Sequence, residues 1–184
     1  MATVGEGLYK GVRKAFTRPI PKTAPAQMRY LVKQLKGTRA AAAALGISQR
    51  TVERYVRGQI KKPRPALADR IEGEVTRRWQ PQIRAKAKKA AATTSGLVID
   101  TRARFGYTAA PGTTDDARLR HLTIALPPQY AGRLFDAQDT GASEQQLRDI
   151  AAEALQDVYF RDGGRRAGGL LVEFTDVEHI NFDI

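Results

Sequence analysis

Residues 38–58, TRAAAAALGISQRTVERYVRG, are the most constraining pattern in the chain, because they combine two short helices with a tight turn. Thr38 suits the cap of an alanine-rich helix that runs through Ala44, and Ser48 suits the cap of a second helix that runs to about residue 57. Gly46, between them, can adopt the positive φ of a tight turn. Small and apolar side chains would pack the two helices together: Ala42, Leu45, Ile47, Val52 and Tyr55 or Val56. This arrangement predicts a helix-turn-helix.

The second helix of this pattern has a polar, basic face. With Val52 directed towards the core, the outward side chains are Gln49, Arg50, Glu53, Arg54 and Arg57. Gln and Arg can read the edges of adenine and guanine, and Arg can also clamp phosphates. An ordinary helical hairpin has the same apolar spacing. The coincidence of a glycine turn with a basic face is what favours DNA binding.

Charge is distributed unevenly along the chain. Residues 1–90 hold 22 Lys and Arg against 5 Asp and Glu, a net charge of +17. Residues 91–184 hold 9 Arg, no Lys and 14 Asp and Glu, a net charge of −5. Because Lys and Arg near phosphates release condensed counterions, the first half is expected to bind a polyanion. The contrast predicts a DNA-binding domain over residues 1–90 and a second domain over residues 97–184.

Further helices are expected around the helix-turn-helix. PAQMRYLVKQLKG predicts a helix that begins at Pro25 and ends before Gly37. A closing helix is predicted by apolar residues that step by four: Leu67, Ile71, Val75 and Trp79. GLYKGVRKAF, residues 7–16, predicts a short amphipathic helix that either docks on the domain or touches a membrane or DNA.

Basic segments lie on both sides of the closing helix. Lys61 and Lys62 precede it, and Arg84 and Lys86 follow it in a helical stretch that is expected to fade into a linker. Such a charge run is commonly a solvated face, whereas its closeness to the helix-turn-helix favours phosphate contacts. The predicted DNA-binding residues are therefore Gln49, Arg50, Arg54, Arg57, Lys61, Lys62, Arg84 and Lys86.

After residue 96 the hydrophobic period changes. Strands are predicted over GLVIDTRARFGYTA (96–109), RLRHLTIAL (118–126) and GLLVEFTDVEHINFDI (169–184). Helices are predicted over LPPQYAGRLFDAQ (126–138) and ASEQQLRDIAAEALQDVYF (142–160), the second with a capping box of Ser143 and Gln146. About three strands and two helices form a small α+β domain. The predicted fold class is α+β, with an all-α N-terminal domain that contains the helix-turn-helix.

Several kinds of site are disfavoured. The chain has no cysteine, which excludes disulfides and thiolate chemistry. Its two histidines, His121 and His179, lie far apart in sequence and are interpreted as strand residues with ordinary hydrogen bonds rather than metal ligands. No apolar run approaches the roughly 18–20 residues that span a bilayer. No nucleophile with an adjacent base stands out, and no Ser-His-Asp or paired-Glu arrangement is apparent.

The segment PGTTDDARLRHL, residues 111–122, places two threonines beside two aspartates. On chemistry alone it is typical of a turn that begins the next element, because Thr and Asp are favoured at caps.

Six long segments that run almost from end to end of the chain bear a family resemblance. They are VRKAFTRPIPKTAPAQMRYLVKQLKGTRA, ISQRTVERYV, RWQPQIRAKA, VIDTRARFGYTA, TDDARLRHLTIALPP and YFRDGGRRAG. The chain resembles the telomere terminal protein (Tpg) family of linear Streptomyces chromosomes and plasmids. Members of that family are joined covalently to the 5′ ends of linear DNA. They act as primers that fill the recessed end left by replication.

The resemblance implies that the hydroxyl of Thr114 accepts the first deoxynucleotide, a dCMP, in phosphodiester linkage. Thr113 is its only near rival by position. Asp115 and Asp116 either hold a metal and orient the hydroxyl or cap the following element. The dCTP and the divalent metal belong to the polymerase complex, so the protein needs no cofactor of its own. The protein is then a substrate of deoxynucleotidylation and not an enzyme.

The resemblance also implies partners and a location. The partners are telomeric DNA at its single-stranded 3′ overhang and at chromosome ends, a telomere-associated protein and a DNA polymerase of the repair type. No membrane partner is expected, and association with further copies of the chain is left open. The expected location is the cytoplasm, at the nucleoid, where the chromosome or plasmid ends lie. Without the resemblance, pattern and composition favour a different function, because helix-turn-helix regulators are common: a transcriptional regulator with a C-terminal dimerisation or ligand-sensing domain. Such a regulator binds one palindromic operator and forms no covalent adduct.

Overall fold

The computed structural model describes residues 3–108, 118–161 and 171–184, and the chain divides into two compact units. The helical unit is Thr17–Pro81, and the α+β unit combines Met1–Phe16 with Gln82–Ile184. The fold class is α+β, with a mostly helical N-terminal part and a small C-terminal α+β region, as predicted. The units differ from the expected domains 1–90 and 97–184, because residues 1–16 and 82–90 fold with the C-terminal strands.

Eight α-helices and three β-strands lie within these described ranges. In chain order they are α1 (Val4–Lys14), α2 (Ala24–Gln34), α3 (Thr38–Leu45), α4 (Gln49–Val56), α5 (Pro65–Arg78), α6 (Pro81–Ala90), β1 (Leu97–Thr108), β2 (Arg118–Leu126), α7 (Pro128–Asp139), α8 (Glu144–Leu155) and β3 (Leu171–Asp183). Short π-helical segments extend α6 over Ala91–Ser95 and α8 over Gln156–Phe160.

The helical unit has an apolar core to which α2, α3, α4 and α5 all contribute. Its buried members are Ala24, Met28, Leu31, Ala41, Ala42, Leu45, Val52, Tyr55, Ile71 and Val75. The spacing predicted for the closing helix is confirmed, since Ile71 and Val75 are buried while Leu67 and Trp79 pack at the edge of this core. Four of the residues predicted to join α3 to α4 are in this set, and Ile47 and Val56 pack against it. Thr38 is the first residue of α3 and not its cap, which is Gly37.

Three helices of this unit end in the same hydrogen-bonded turn, in which one residue adopts a left-handed conformation. That residue is Lys36 after α2, Gly46 after α3 and Gly58 after α4, with φ of 59°, 60° and 73°. The next amide donates to the carbonyl five residues back at 2.9–3.0 Å: Gly37 to Val32, Ile47 to Ala42 and Gln59 to Arg54. The predicted end of α2 is therefore shifted, because Lys36 takes the left-handed position expected of a glycine.

The α+β unit contains an antiparallel sheet with the strand order β2-β1-β3. Alternate residues of the central strand β1 face the core: Leu97, Ile99, Thr101, Ala103 and Phe105 are all buried. Helices α1, α7 and α8 supply most of the remaining core. The predicted capping box of α8 is confirmed, because Ser143 and Gln146 each accept a backbone N–H of the other.

Helix α1 packs on β3, which resolves the alternatives that its amphipathic sequence left open. A Cβ added to Gly11 would lie 2.7 Å from the backbone oxygen of Phe182, so only glycine permits this approach. The first amides of α1 are capped from α8, since Val4 N and Gly5 N donate to the carboxylate of Glu144 at 2.6 and 3.2 Å. The apolar face of α1 is thus part of the α+β core.

Residues 82–96 were expected to be helical and then to fade into a linker; the helix is confirmed, and the linker is wrong. The stretch is helical through α6 and its π-helical extension, and Ala91 is fully buried. Gly96 then turns the chain into β1 with φ +71°, and a Cβ there would lie 2.1 Å from the backbone oxygen of Leu126. Close packing against the end of β2 therefore fixes this connection.

Candidate nucleic-acid interface

Helix α4 has one buried side and one solvent-facing side. Val52 and Tyr55 are 0% and 3% exposed and hold the helix on the core. Its N-terminus is capped by Ser48, whose side chain accepts the amide of Thr51 at 3.2 Å. Tight turns at Gly46 and Gly58 limit the helix on both sides, so its orientation within the unit is fixed by packing and by the backbone.

The outward side chains of α4 line one open concavity. Its lining residues are Gln49, Arg50, Glu53, Arg54, Arg57 and Gln59. Four of the predicted DNA-binding residues are thereby brought together, and all four are exposed: Gln49, Arg50, Arg54 and Arg57. Gln59 was not predicted. It joins the group because the turn at Gly58 directs the chain back along α4, and a turn glycine is the sequence signal that could have indicated this.

The helical unit also carries nearly all of the excess positive charge. Residues 17–81 hold 15 Lys and Arg against 4 Asp and Glu, a net charge of +11 out of +12 for the chain. The α+β unit accounts for the remaining +1. A surface field of this sign concentrates polyanions near the unit and makes their binding sensitive to salt.

The other predicted DNA-binding residues are not part of the concavity. Lys61 and Lys62 are exposed in the segment between α4 and α5, within the helical unit. Arg84 and Lys86 lie on α6 and belong to the α+β unit. The guanidinium carbon of Arg84 lies 5.8 Å from the ring centre of Tyr9, so this side chain packs within its own unit.

One further cation at α4 was missed. The Nη1 of Arg29, on α2, donates to the backbone oxygen of Val56 at 3.2 Å, while the side chain remains exposed. The last carbonyls of a helix carry partial negative charge, which favours a cation there. The sequence of α2 indicated only its apolar stripe, and the tertiary neighbour of Arg29 could not be inferred from it.

The predicted nucleotide acceptor Thr114 lies outside the described residues, together with Thr113, Asp115 and Asp116. In the sequence these residues stand between the end of β1 and the start of β2. Their expected roles stay predictions.

The two histidines converge on one carboxylate of the sheet, which the sequence did not indicate. His121 Nε2 and His179 Nε2 each lie 2.9 Å from a different oxygen of Asp100. Thr123 Oγ1 donates to Asp100 at 2.8 Å. This hydrogen bond from Thr123, followed by that from His179, lowers the pKa of Asp100 below its ordinary value. The cluster arises because β2 and β3 flank β1, and the register of three strands is not readable from spacing.

Two further properties of the described ranges bear on function. None of their helices has the length and apolarity needed to cross a bilayer. Among the same residues, no group of three or more His, Asp or Glu side chains is arranged as a metal site.

Comparisons of the chain with known protein families, with curated proteins and with solved structures find no match.

Proposed function

We propose that the helical unit binds DNA by inserting the outward face of α4 into the major groove. The observation that carries this proposal is that a net charge of +11 coincides with Gln and Arg side chains grouped on one helix face. The major groove is about 12 Å wide and admits an α-helix, where Arg pairs with guanine and Gln with adenine. The remaining lysines and arginines of the unit would contact phosphates and set affinity rather than sequence preference.

The proposed role of the whole chain is that of a terminal protein that primes DNA synthesis at the ends of linear replicons. This part of the proposal is supported by the sequence resemblance. In the priming step the Thr114 hydroxyl oxygen attacks the α-phosphorus of dCTP. A phosphodiester bond to dCMP forms, pyrophosphate leaves, and the hydroxyl proton passes to a base or water in the polymerase site. Rate enhancement comes from positioning and from the metal ions of the polymerase, so the chain supplies only the hydroxyl.

The partners follow from this role. A telomere-associated protein would bring the chain to the single-stranded 3′ overhang. The threonine hydroxyl would then enter the active site of a repair-type DNA polymerase. It would then stay at chromosome or plasmid ends in the nucleoid. Asp115 and Asp116 either orient the hydroxyl near the polymerase metals or cap the following strand.

DNA binding is tested with the intact protein by measuring the Kd for duplex and single-stranded telomeric DNA over a range of salt concentrations. Affinity should fall steeply with salt, since each neutralised phosphate adds about 0.9 to the slope of log K against log salt on duplex DNA. Absence of measurable binding to both DNAs at low salt would reject the proposal.

Priming is tested by incubating the intact protein with telomeric template, polymerase, partner protein and labelled dCTP. A covalent protein–dCMP adduct that survives boiling in detergent is expected. Thr114→Ala should abolish labelling, and Thr113→Ala is the matched control that should retain it. Labelling of Thr114→Ala at the normal level would show that another residue is the nucleotide acceptor.

A helix-turn-helix regulator would share the DNA-binding step, and one observation separates the two functions. For a terminal protein, chromosome ends purified in detergent should retain this chain. For a regulator the ends should be free of it, and the protein should instead protect one palindromic operator.

A further inference from the structure

Glu53 is an acidic residue in the middle of the basic face of α4. It lines the same concavity as Arg50, Arg54 and Arg57, and it is partly buried there. A carboxylate at this position repels the phosphates that the surrounding arginines attract. It therefore lowers affinity for DNA of any sequence unless it gains a specific hydrogen bond.

Glu53 has a neutral hydrogen-bond partner and, among the described residues, no ion pair with an arginine of its own helix. Its Oε1 accepts from Nε2 of Gln49 at 3.0 Å, which is a neutral partner. Among the ion pairs of the described residues, none joins Glu53 to Arg50 or Arg57, although they lie three residues before and four residues after it. Glu74, on α5, has arginines three and four residues away and pairs with both of them, Arg77 and Arg78.

The major groove offers further hydrogen-bond donors to the Glu53 carboxylate. Cytosine offers an amino group at N4, which Glu and Asp accept, and its partner guanine offers N7 and O6, which Arg contacts in a bidentate manner. One acidic and one basic side chain on the same helix face therefore match both halves of a C·G pair. Adenine also has an amino donor, but its partner thymine presents O4 and a methyl group, which give an arginine no bidentate contact.

We infer that Glu53 is a specificity-determining residue, and that with a flanking arginine it reads a C·G base pair in duplex DNA. The inference rests on the proposed function of the helical unit. The hydrogen bond from Gln49 holds the Glu53 carboxylate in place before DNA arrives, so less side-chain entropy is lost on binding. The face of α4 then combines attraction by arginines with selection against sequences that leave Glu53 unpaired.

The test begins with selection of preferred duplexes from a random pool by the intact wild-type protein. The Kd is then measured for the selected site and for the same site with each C·G pair replaced by A·T. Three proteins are compared: wild type, Glu53→Ala and Glu72→Ala. Glu72 is an exposed acid on α5 outside the concavity, so its replacement removes the same charge without touching the face.

Wild type and Glu72→Ala should discriminate against one replaced pair by about tenfold or more. Glu53→Ala should lose this discrimination while it binds the replaced site more tightly than wild type does. Glu53→Gln should shift the preference at that position towards A·T, because Gln pairs with adenine. Retained Trp79 fluorescence and an unchanged unfolding midpoint establish that each variant is folded.

The inference is overturned if Glu53→Ala and Glu72→Ala raise affinity for both duplexes by the same factor, since Glu53 is then only one negative charge among others. It is also overturned if wild type selects no preferred sequence, or if the lost discrimination falls at a position other than C·G. In these cases DNA binding itself survives. Failure of the wild-type protein to bind any duplex would instead remove the proposed function.

Discussion

Replacement of Gly46 by alanine should destabilise the helical unit, because Gly46 holds a left-handed backbone between α3 and α4. Its φ and ψ are 60° and 39°, a conformation that costs a non-glycine residue about 1–2 kcal/mol. An added Cβ would lie 3.1 Å from Nη1 of Arg70, the end of a flexible side chain that can move aside. Alanine also restricts the unfolded chain, which offsets about 0.4–1 kcal/mol. The expected net loss is about 1 kcal/mol.

The two other left-handed positions of the helical unit, Gly58 and Lys36, provide controls. For Gly58→Ala no heavy atom lies within 4 Å of the added Cβ, so only backbone strain contributes. A difference between Gly46→Ala and Gly58→Ala therefore measures the contact with Arg70. Lys36 already carries this strain at φ 59°. Lys36→Gly should consequently stabilise the unit by up to about 1 kcal/mol.

Trp79 allows the unfolding of the helical unit to be measured separately. It is the only tryptophan of the chain and lies in the helical unit, with its ring centre 4.7 Å from that of Tyr30. Its fluorescence in urea or during heating thus reports the unfolding of this unit alone. For a domain of 60–100 residues, 1 kcal/mol corresponds to a shift in Tm of about 4–8 °C. An unchanged Tm for Gly46→Ala, or a lower Tm for Lys36→Gly, would refute the reasoning about left-handed strain.

Three other outcomes are expected. Arg50→Ala combined with Arg54→Ala should weaken DNA binding and reduce the salt slope by up to about 2, with circular dichroism unchanged; equal affinity would place the DNA-binding face elsewhere. Gly11→Ala should destabilise the α+β unit by about 1–3 kcal/mol, because the new Cβ meets a backbone oxygen of β3. Gly5→Ala, with only ordinary contacts, is its control in thermal unfolding followed by circular dichroism. Folding lowers the pKa of Asp100, so the ionised carboxylate stabilises the folded state. This stabilisation is fully present above the unfolded-state pKa of about 3.9, and it is lost as pH falls through the folded-state pKa. The urea midpoint should therefore fall less between neutral and acidic pH in Asp100→Asn than in wild type. The same fall in both proteins would contradict this.

Features set by neighbouring residues were predictable from the sequence. The helix-turn-helix pattern depends on a cap at Ser48, a turn at Gly46 and apolar residues three and four apart, and each acts within one or two turns of helix. The capping box of α8 is local in the same way. Grouping of the polar residues of α4 follows directly, because the residues that pack inward determine which ones face outward.

Features that depend on distant contacts were not predictable. The alanine-rich stretch after α6 has the composition of a linker, yet Ala91 is buried. A Cβ added to Gly96 would lie 2.1 Å from the backbone oxygen of Leu126. The end of α2 shows the limit even for local rules. Gly37 was the natural choice for the left-handed residue, but the hydrogen bond from Gly37 N to Val32 O places Lys36 there.

The net charges of the two structural units differ from those of the two halves of the sequence. Sequence halves of +17 and −5 become units of +11 and +1, because the basic helices α1 and α6 fold with the acidic strands and helices. Lys14 pairs there with Asp183, and Lys88 pairs with Asp139 at 2.6 Å. These lysines are thus better explained as partners within the α+β unit than as phosphate contacts. The excess positive charge is then concentrated in the helical unit, which under the proposed function binds DNA, whereas the nearly neutral α+β unit would offer the hydroxyl to a polymerase.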